Sequence, residues 1–104
     1  MLTVRDYIKL LLKKKKWSHA RLCRELNKVE AKISDARTVP QNVTNYLNGY
    51  LEFSVYTLIK YETVFNLPVG TLISMVEQPF SKSVKKEFNK LIKKIRGDEY
   101  GNYF

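Results

Sequence analysis

The sequence has few of the residues that most often carry chemistry. Its 104 residues include one cysteine, Cys23, and one histidine, His19. A lone cysteine closes no internal disulfide, and with one histidine it makes no metal-ligand set. Four glycines and three prolines leave no glycine-rich loop to cradle a phosphate. A nucleophile needs a base beside it, and His19 is the only imidazole. The six Asp and Glu between residues 17 and 80 lack the paired spacing of a metal or glycosidase site. The chain is therefore read as a non-enzyme that needs no metal and no cofactor. No apolar run approaches the roughly 18 residues of a membrane span. Leu10–Leu12 is too short for a signal-peptide core. The expectation is a soluble cytoplasmic protein of the bacterial cytoplasm or nucleoid, with no membrane partner.

Acidic residues are also few: ten Asp and Glu face nineteen Lys and Arg, a net charge of +9. Residues 1–33 hold ten basic and three acidic side chains, residues 34–80 two and four, and residues 81–104 seven and three. The positive charge thus lies at both ends, around a nearly neutral middle. Such a surface suits a polyanion, nucleic acid first and anionic membrane second; lysines also solvate helix faces. With 44% apolar residues, the chain can bury one ordinary core without staples.

Helical spacing dominates the pattern, and no strand alternation or repeat stands out. Val4, Tyr7, Ile8, Leu11 and Leu12 mark a first helix. It is capped by Thr3 and ends in Lys13, Lys14, Lys15 and Lys16. Ser18 caps a second, whose Leu22, Leu26, Val29 and Ile33 carry it to about Ile33, with Cys23 as a small buried residue. Pro40 opens a short third segment that Gly49 closes. Only Val43, Tyr46 and Leu47 on it are apolar, so it must dock one edge and show its amides. Ser54 starts a fourth helix to about Asn66. A fifth, after Leu67-Pro68, includes Leu72, Ile73, Met75 and Val76. A sixth runs from Ser81 to Arg96 with a basic face and an apolar stripe. That stripe packs on the domain or pairs with a second copy as a homodimer contact. The chain divides into residues 1–78, a basic amphipathic helix at 79–97, and a frayed tail at 98–104.

This order resembles the lambda-repressor-like helix-turn-helix family, also called the Cro or xenobiotic-response-element type. The stretch Ser18-His19-Ala20-Arg21-Leu22-Cys23-Arg24-Glu25-Leu26 stands where the family has Thr-Gln-x-x-Leu-Ala-x-x-Leu. Val43-Thr44-Asn45-Tyr46-Leu47-Asn48-Gly49 matches the third helix with its polar-Gly ending, and Leu67-Pro68-Val69-Gly70-Thr71-Leu72 the turn before helix five. The resemblance covers residues 4–77 and implies an all-α, five-helix domain, here with an extra basic C-terminal helix. One departure is clear. Val43 follows Leu26 by seventeen positions, where the resemblance implies about seven, so the connection is not the tight turn of about three to four residues usual in the motif. Either the second helix is longer or the turn is a loop. The added Asn27–Arg37 segment either brings contacts through Lys28, Lys32 or Arg37, or blocks the third helix.

The resemblance implies a sequence-specific duplex-DNA-binding transcriptional regulator, of a phage, plasmid or other mobile element. Recognition helices read base edges in the major groove, where Asn and Gln meet adenine in bidentate fashion. By motif matching, Gln41, Asn42, Thr44 and Asn45 are the candidate base contacts; the alternative is a solvated or capping face. Pro40 replaces a side chain that the family often uses. Candidate backbone contacts are Ser18, His19, Arg21, Arg37, Thr38, Asn48, Tyr50 and Lys13–Lys16. His19 is otherwise a surface residue and Tyr50 otherwise core. Two further readings stand beside this one. One is a non-specific or single-stranded-DNA accessory protein of replication or transfer, stacking bases on Tyr46, Tyr50, Tyr56 and Tyr61. The other is an adaptor whose helix-turn-helix frame meets a protein partner.

Overall fold

The computed structural model describes residues 3–76, 81–97 and 104. Every helix in it begins where a side chain or a proline makes the start favourable. Helix α1 spans Val4–Lys15, and the Thr3 hydroxyl accepts from the Asp6 amide at 3.1 Å. Helix α2 spans His19–Glu30 behind Ser18, which accepts from the Arg21 amide at 3.1 Å. Helix α3, Pro40–Leu47, has no side-chain cap; Pro40 at its first turn removes one amide that would need a partner. Helix α4 spans Val55–Val64 behind Ser54, and α5 spans Lys82–Arg96 behind Ser81. The fold is all-helical, with five α-helices and no strand among the described residues.

The helix ends are equally specified. Lys16 adopts a left-handed conformation (φ 58°), and the Trp17 and Lys16 amides return to the carbonyls of Leu12 and Lys13. Asn66 does the same after α4 (φ 52°), with Leu67 N–H on Glu62 and Asn66 N–H on Thr63. Gly49 (φ 85°) does so after α3, where Tyr50 N–H returns to Asn45. All three close orphan carbonyls by the same backbone loop-back, and glycine adopts it with least strain.

Two expected elements are shorter than their apolar spacing suggests. The second helix, expected to reach Ile33, stops at Glu30. Ser34 turns the chain there: its amide donates to the Glu30 carbonyl at 2.9 Å and its hydroxyl to the Glu30 carboxylate at 2.6 Å. The expected fifth helix is a single 3-10 turn, Ile73–Met75, which has no side-chain cap and runs into extended backbone at Val76. Of the expected frayed tail, residues 98–103 lie outside the described residues. Phe104 is placed, with its amide on Asn89 Oδ1 at 2.9 Å and its ring edge-on to Phe88.

The chain forms two units, Met1–Phe53 and Ser54–Phe104. In the first, α3 packs against both α1 and α2. Its core is Ile8, Leu12, Leu22, Cys23, Leu26, Val43 and Leu47, all buried. In the second, α4 packs against α5 and against the 3-10 turn. Phe88 and Ile92, from the apolar stripe of α5, are fully buried in the chain itself. Glu62 ties this unit's turn together. Its carboxylate accepts from the Gly70 amide at 2.8 Å, the Leu72 amide at 3.0 Å and Arg96 Nη1 at 3.5 Å. Arg96 also donates to the Leu67 carbonyl at 2.6 Å. Burial raises the Glu62 pKa above the usual carboxyl range, against the lowering pull of the two amides and Arg96. No helix among the described residues is long and apolar enough to cross a membrane.

Candidate nucleic-acid interface

Helix α3 carries no charged side chain, and its buried edge is Val43 and Leu47. The opposite edge presents Gln41 and Asn42, both exposed, with Asn45 half-buried one turn further on. Gln41 Nε2 donates to Asn45 Oδ1 at 3.0 Å. The i, i+4 spacing puts these two amides on one face, and the bond between them limits their rotamers. The Asn45 amide nitrogen and the Gln41 carbonyl oxygen keep their own hydrogen-bonding capacity, one donor group and one acceptor. The Asn27–Arg37 segment leaves Gln41 and Asn42 uncovered.

Thr44 faces elsewhere. Its hydroxyl lies 2.9 Å from His19 Nδ1 and 3.3 Å from the Pro40 carbonyl. When the hydroxyl donates to Pro40, its oxygen accepts from the His19 ring. His19 is half-buried, so it is more than a surface residue: it ties the first turn of α2 to the middle of α3. The structure thus brings together one candidate backbone contact and one candidate base contact, each occupied by the other.

The register of α3 depends on a residue that the sequence pattern did not single out. Asn27 Oδ1 accepts from the Thr38 amide at 2.7 Å, and Asn27 Nδ2 donates to the Thr38 carbonyl at 2.9 Å. The Cys23 thiol donates to the same carbonyl at 3.1 Å. A side-chain amide here mimics a peptide and pairs with both backbone groups of Thr38. Thr38, a candidate backbone contact, therefore has its own peptide groups committed within the protein. Arg5 is the second unforeseen residue. Its Nε donates to the Tyr46 carbonyl in the last turn of α3 at 2.9 Å, and Nη2 pairs with Glu52 at 3.3 Å. A cation at a helix C-terminus opposes the negative end of the dipole. Neither residue had a local signal: Asn27 and Thr38 are eleven positions apart, and Arg5 and Tyr46 forty-one.

The remaining candidates divide into engaged and open groups. Arg21 lies 5.0 Å from the Trp17 ring centre and pairs with Glu25 at 3.2 Å. Lys15 lies over the same ring at 5.4 Å. Glu25 also accepts from Lys28 at 3.0 Å, and that bond leads the causes holding its pKa below the usual range. Ser18 spends its hydroxyl on its cap. Lys13, Lys14, Lys16, Arg37 and Asn48 are exposed. Tyr50 is 79% exposed, so the alternative of a core tyrosine does not hold. With Val39 and Leu51, it places exposed apolar surface at both ends of α3.

Helix α3 thus offers an uncharged amide edge, held at its N-terminal side by Asn27 and at its C-terminal side by Arg5. Basic side chains stand at the end of α1 and along α2. Comparison of the chain with protein-family models, with curated proteins and with solved structures finds no match.

Proposed function

We propose that the chain is a sequence-specific duplex-DNA-binding regulator of the lambda-repressor-like helix-turn-helix kind, with α3 as its reading helix. The observation that carries this reading is the hydrogen-bonded Gln41–Asn45 amide pair, with Gln41 exposed and Asn45 half-buried, on a charge-free helix. Amides at helical spacing suit the donor and acceptor atoms of adenine in the major groove. Lysines at the end of α1 supply the sequence-independent attraction to phosphate. Pre-setting the two amides lowers the entropy lost when they meet a base pair.

The single-stranded alternative rests on stacking tyrosines. Tyr61 is buried and Tyr46 and Tyr56 are half-buried, which leaves Tyr50 as the open ring of the four. One exposed ring makes a poor stacking platform, so the duplex reading is favoured.

Selection of bound duplexes from a random pool, followed by competition, tests the proposal. A selected duplex should resist displacement by random duplex by about 10³-fold or more, the usual lower range of specific binding. Displacement at equal concentrations would end the proposal. Tighter binding to single strand than to any duplex would replace it with the accessory reading.

A further inference from the structure

Helix α5 is the most one-sided element of the chain. Lys82, Lys85, Lys86, Lys90, Lys93 and Lys94 are all exposed, while Phe88 and Ile92 are fully buried. At 3.6 residues per turn, Lys82, Lys86, Lys90 and Lys93 fall within about 80° of arc. Lys94 lies at the edge of that stripe. Glu87 is the single acid on the helix, and no ion pair among the described residues involves Lys82, Lys86, Lys90, Lys93 or Lys94, the five lysines of the row. Like charges placed this close repel one another and raise the cost of leaving the row without counterions.

We infer that this lysine row is a second phosphate-binding surface, gripping the backbone of duplex DNA independently of α3. From Lys82 to Lys94 the helix rises about 18 Å. Over that length one strand of a duplex presents about five phosphates, which matches five lysines. The row contains no Asn, Gln or Arg fork for reading a base edge, so it supplies affinity without sequence choice. A basic amphipathic helix on a membrane would insert its apolar face. In α5 that face is already buried, with α4 packed on the helix, which favours a polymer of phosphates over a bilayer. The inference rests on the reading of the chain as a duplex-binding protein but concerns grip, not base choice.

The test uses the full chain and a triple variant, Lys86→Gln, Lys90→Gln and Lys93→Gln, at exposed positions that leave the core untouched. A second triple variant places Arg at the same three positions. Binding to a random-sequence duplex is followed by fluorescence anisotropy over a series of salt concentrations. With three fewer phosphates neutralised, the log–log salt slope should become shallower by roughly 2–3. The Arg triple should keep the slope of the unaltered chain. An unchanged slope in the Gln triple overturns the inference while leaving the reading helix standing. A shallower slope in a protein that fails to prefer any selected duplex supports the inference and sinks the proposed sequence reading. Binding to phosphatidylserine vesicles but to no duplex, abolished in the Gln triple, overturns the inference in favour of a membrane surface. A loss of slope in the Arg triple also overturns it, because charge would then not be the cause.

Discussion

Asn27 pairs with both backbone groups of Thr38, accepting from its N–H at 2.7 Å and donating to its carbonyl at 2.9 Å. This one side chain converts the long connection between α2 and α3 from a loose loop into a fixed lead-in. The helix that follows has no side-chain cap of its own, so its start is set by the clamp and by Pro40. Removing the amide leaves Thr38 N–H half-buried without that acceptor. Asn27→Ala should therefore cost about 1–3 kcal/mol of stability, the usual penalty for stranding such a group. Urea denaturation of the variant measures it. Asn27→Asp keeps the acceptor and loses the donor, and should fall between the two. A variant as stable as the unaltered chain would show that Pro40 and packing alone set the start of α3.

The His19–Thr44 bond predicts coupling between α2 and α3. His19→Ala and Thr44→Val each remove one partner, and the double variant removes both. A double-mutant cycle on stability should return a coupling of about 0.5–1.5 kcal/mol, the net worth of an ordinary hydrogen bond. Additive losses would mean that the two side chains act separately. Because Thr44 is held in this bond, Thr44→Val should also change sequence preference less than Asn45→Ala, as read by duplex selection with each variant.

Glu25 and Glu62 predict opposite responses to acid. The Glu25 pKa is lowered, chiefly by Lys28. The stability it contributes is present above the unfolded carboxyl pKa and is lost as pH falls through its lowered folded value. The Glu62 pKa is raised, chiefly by burial. At neutral pH its charged form is a liability that protonation relieves as pH falls through the raised value. The relief is complete below the ordinary carboxyl pKa. The stability difference between the unaltered chain and Glu25→Gln should thus shrink on acidification. The difference between the unaltered chain and Glu62→Gln should move in favour of the unaltered chain. Denaturant titrations at neutral pH and at stepped acidic pH read both signs, and matching signs would refute this assignment. Glu62→Ala, which leaves the Gly70 and Leu72 amides without their acceptor, should cost about 1–3 kcal/mol for each amide at neutral pH.

The helices are legible in the sequence because their starts and buried edges are local. Thr3, Ser18, Ser54 and Ser81 each cap the helix that follows, and Val43 with Leu47 marks the docked edge of α3. The ends that differ from expectation have tertiary or polar causes. Ile33 continues the apolar spacing of α2, yet Ser34 and Glu30 turn the chain before it. The segment after Pro68 has apolar residues enough for a helix, but Glu62 uses the Gly70 and Leu72 amides to shape a turn instead. The amide edge of the candidate site is visible as composition. Its support is not, because Asn27 and Arg5 reach partners distant in sequence and their types are common on any helix surface.

The proposed function, with an uncharged reading edge on α3 and a charged grip at the end of α1, predicts two distinct kinds of variant. Gln41→Ala with Asn45→Ala removes amides that face outward from α3, one exposed and one half-buried. Base contacts carry the choice of sequence, with about 1–3 kcal/mol of discrimination for each good pair. The pair of substitutions should flatten preference among selected duplexes and leave the salt slope nearly unchanged. Neutralising Lys13, Lys14 and Lys16, all exposed beyond the core of α1, should weaken binding to all duplexes alike. It should also make the slope shallower by roughly 0.9 for each phosphate left without its lysine. Lys15 is left in place because it lies over the Trp17 ring, and its loss would mix packing with charge. If both sets of variants moved the salt slope and the preference equally, reading and grip would be one surface, and α3 would have to be contacting phosphate.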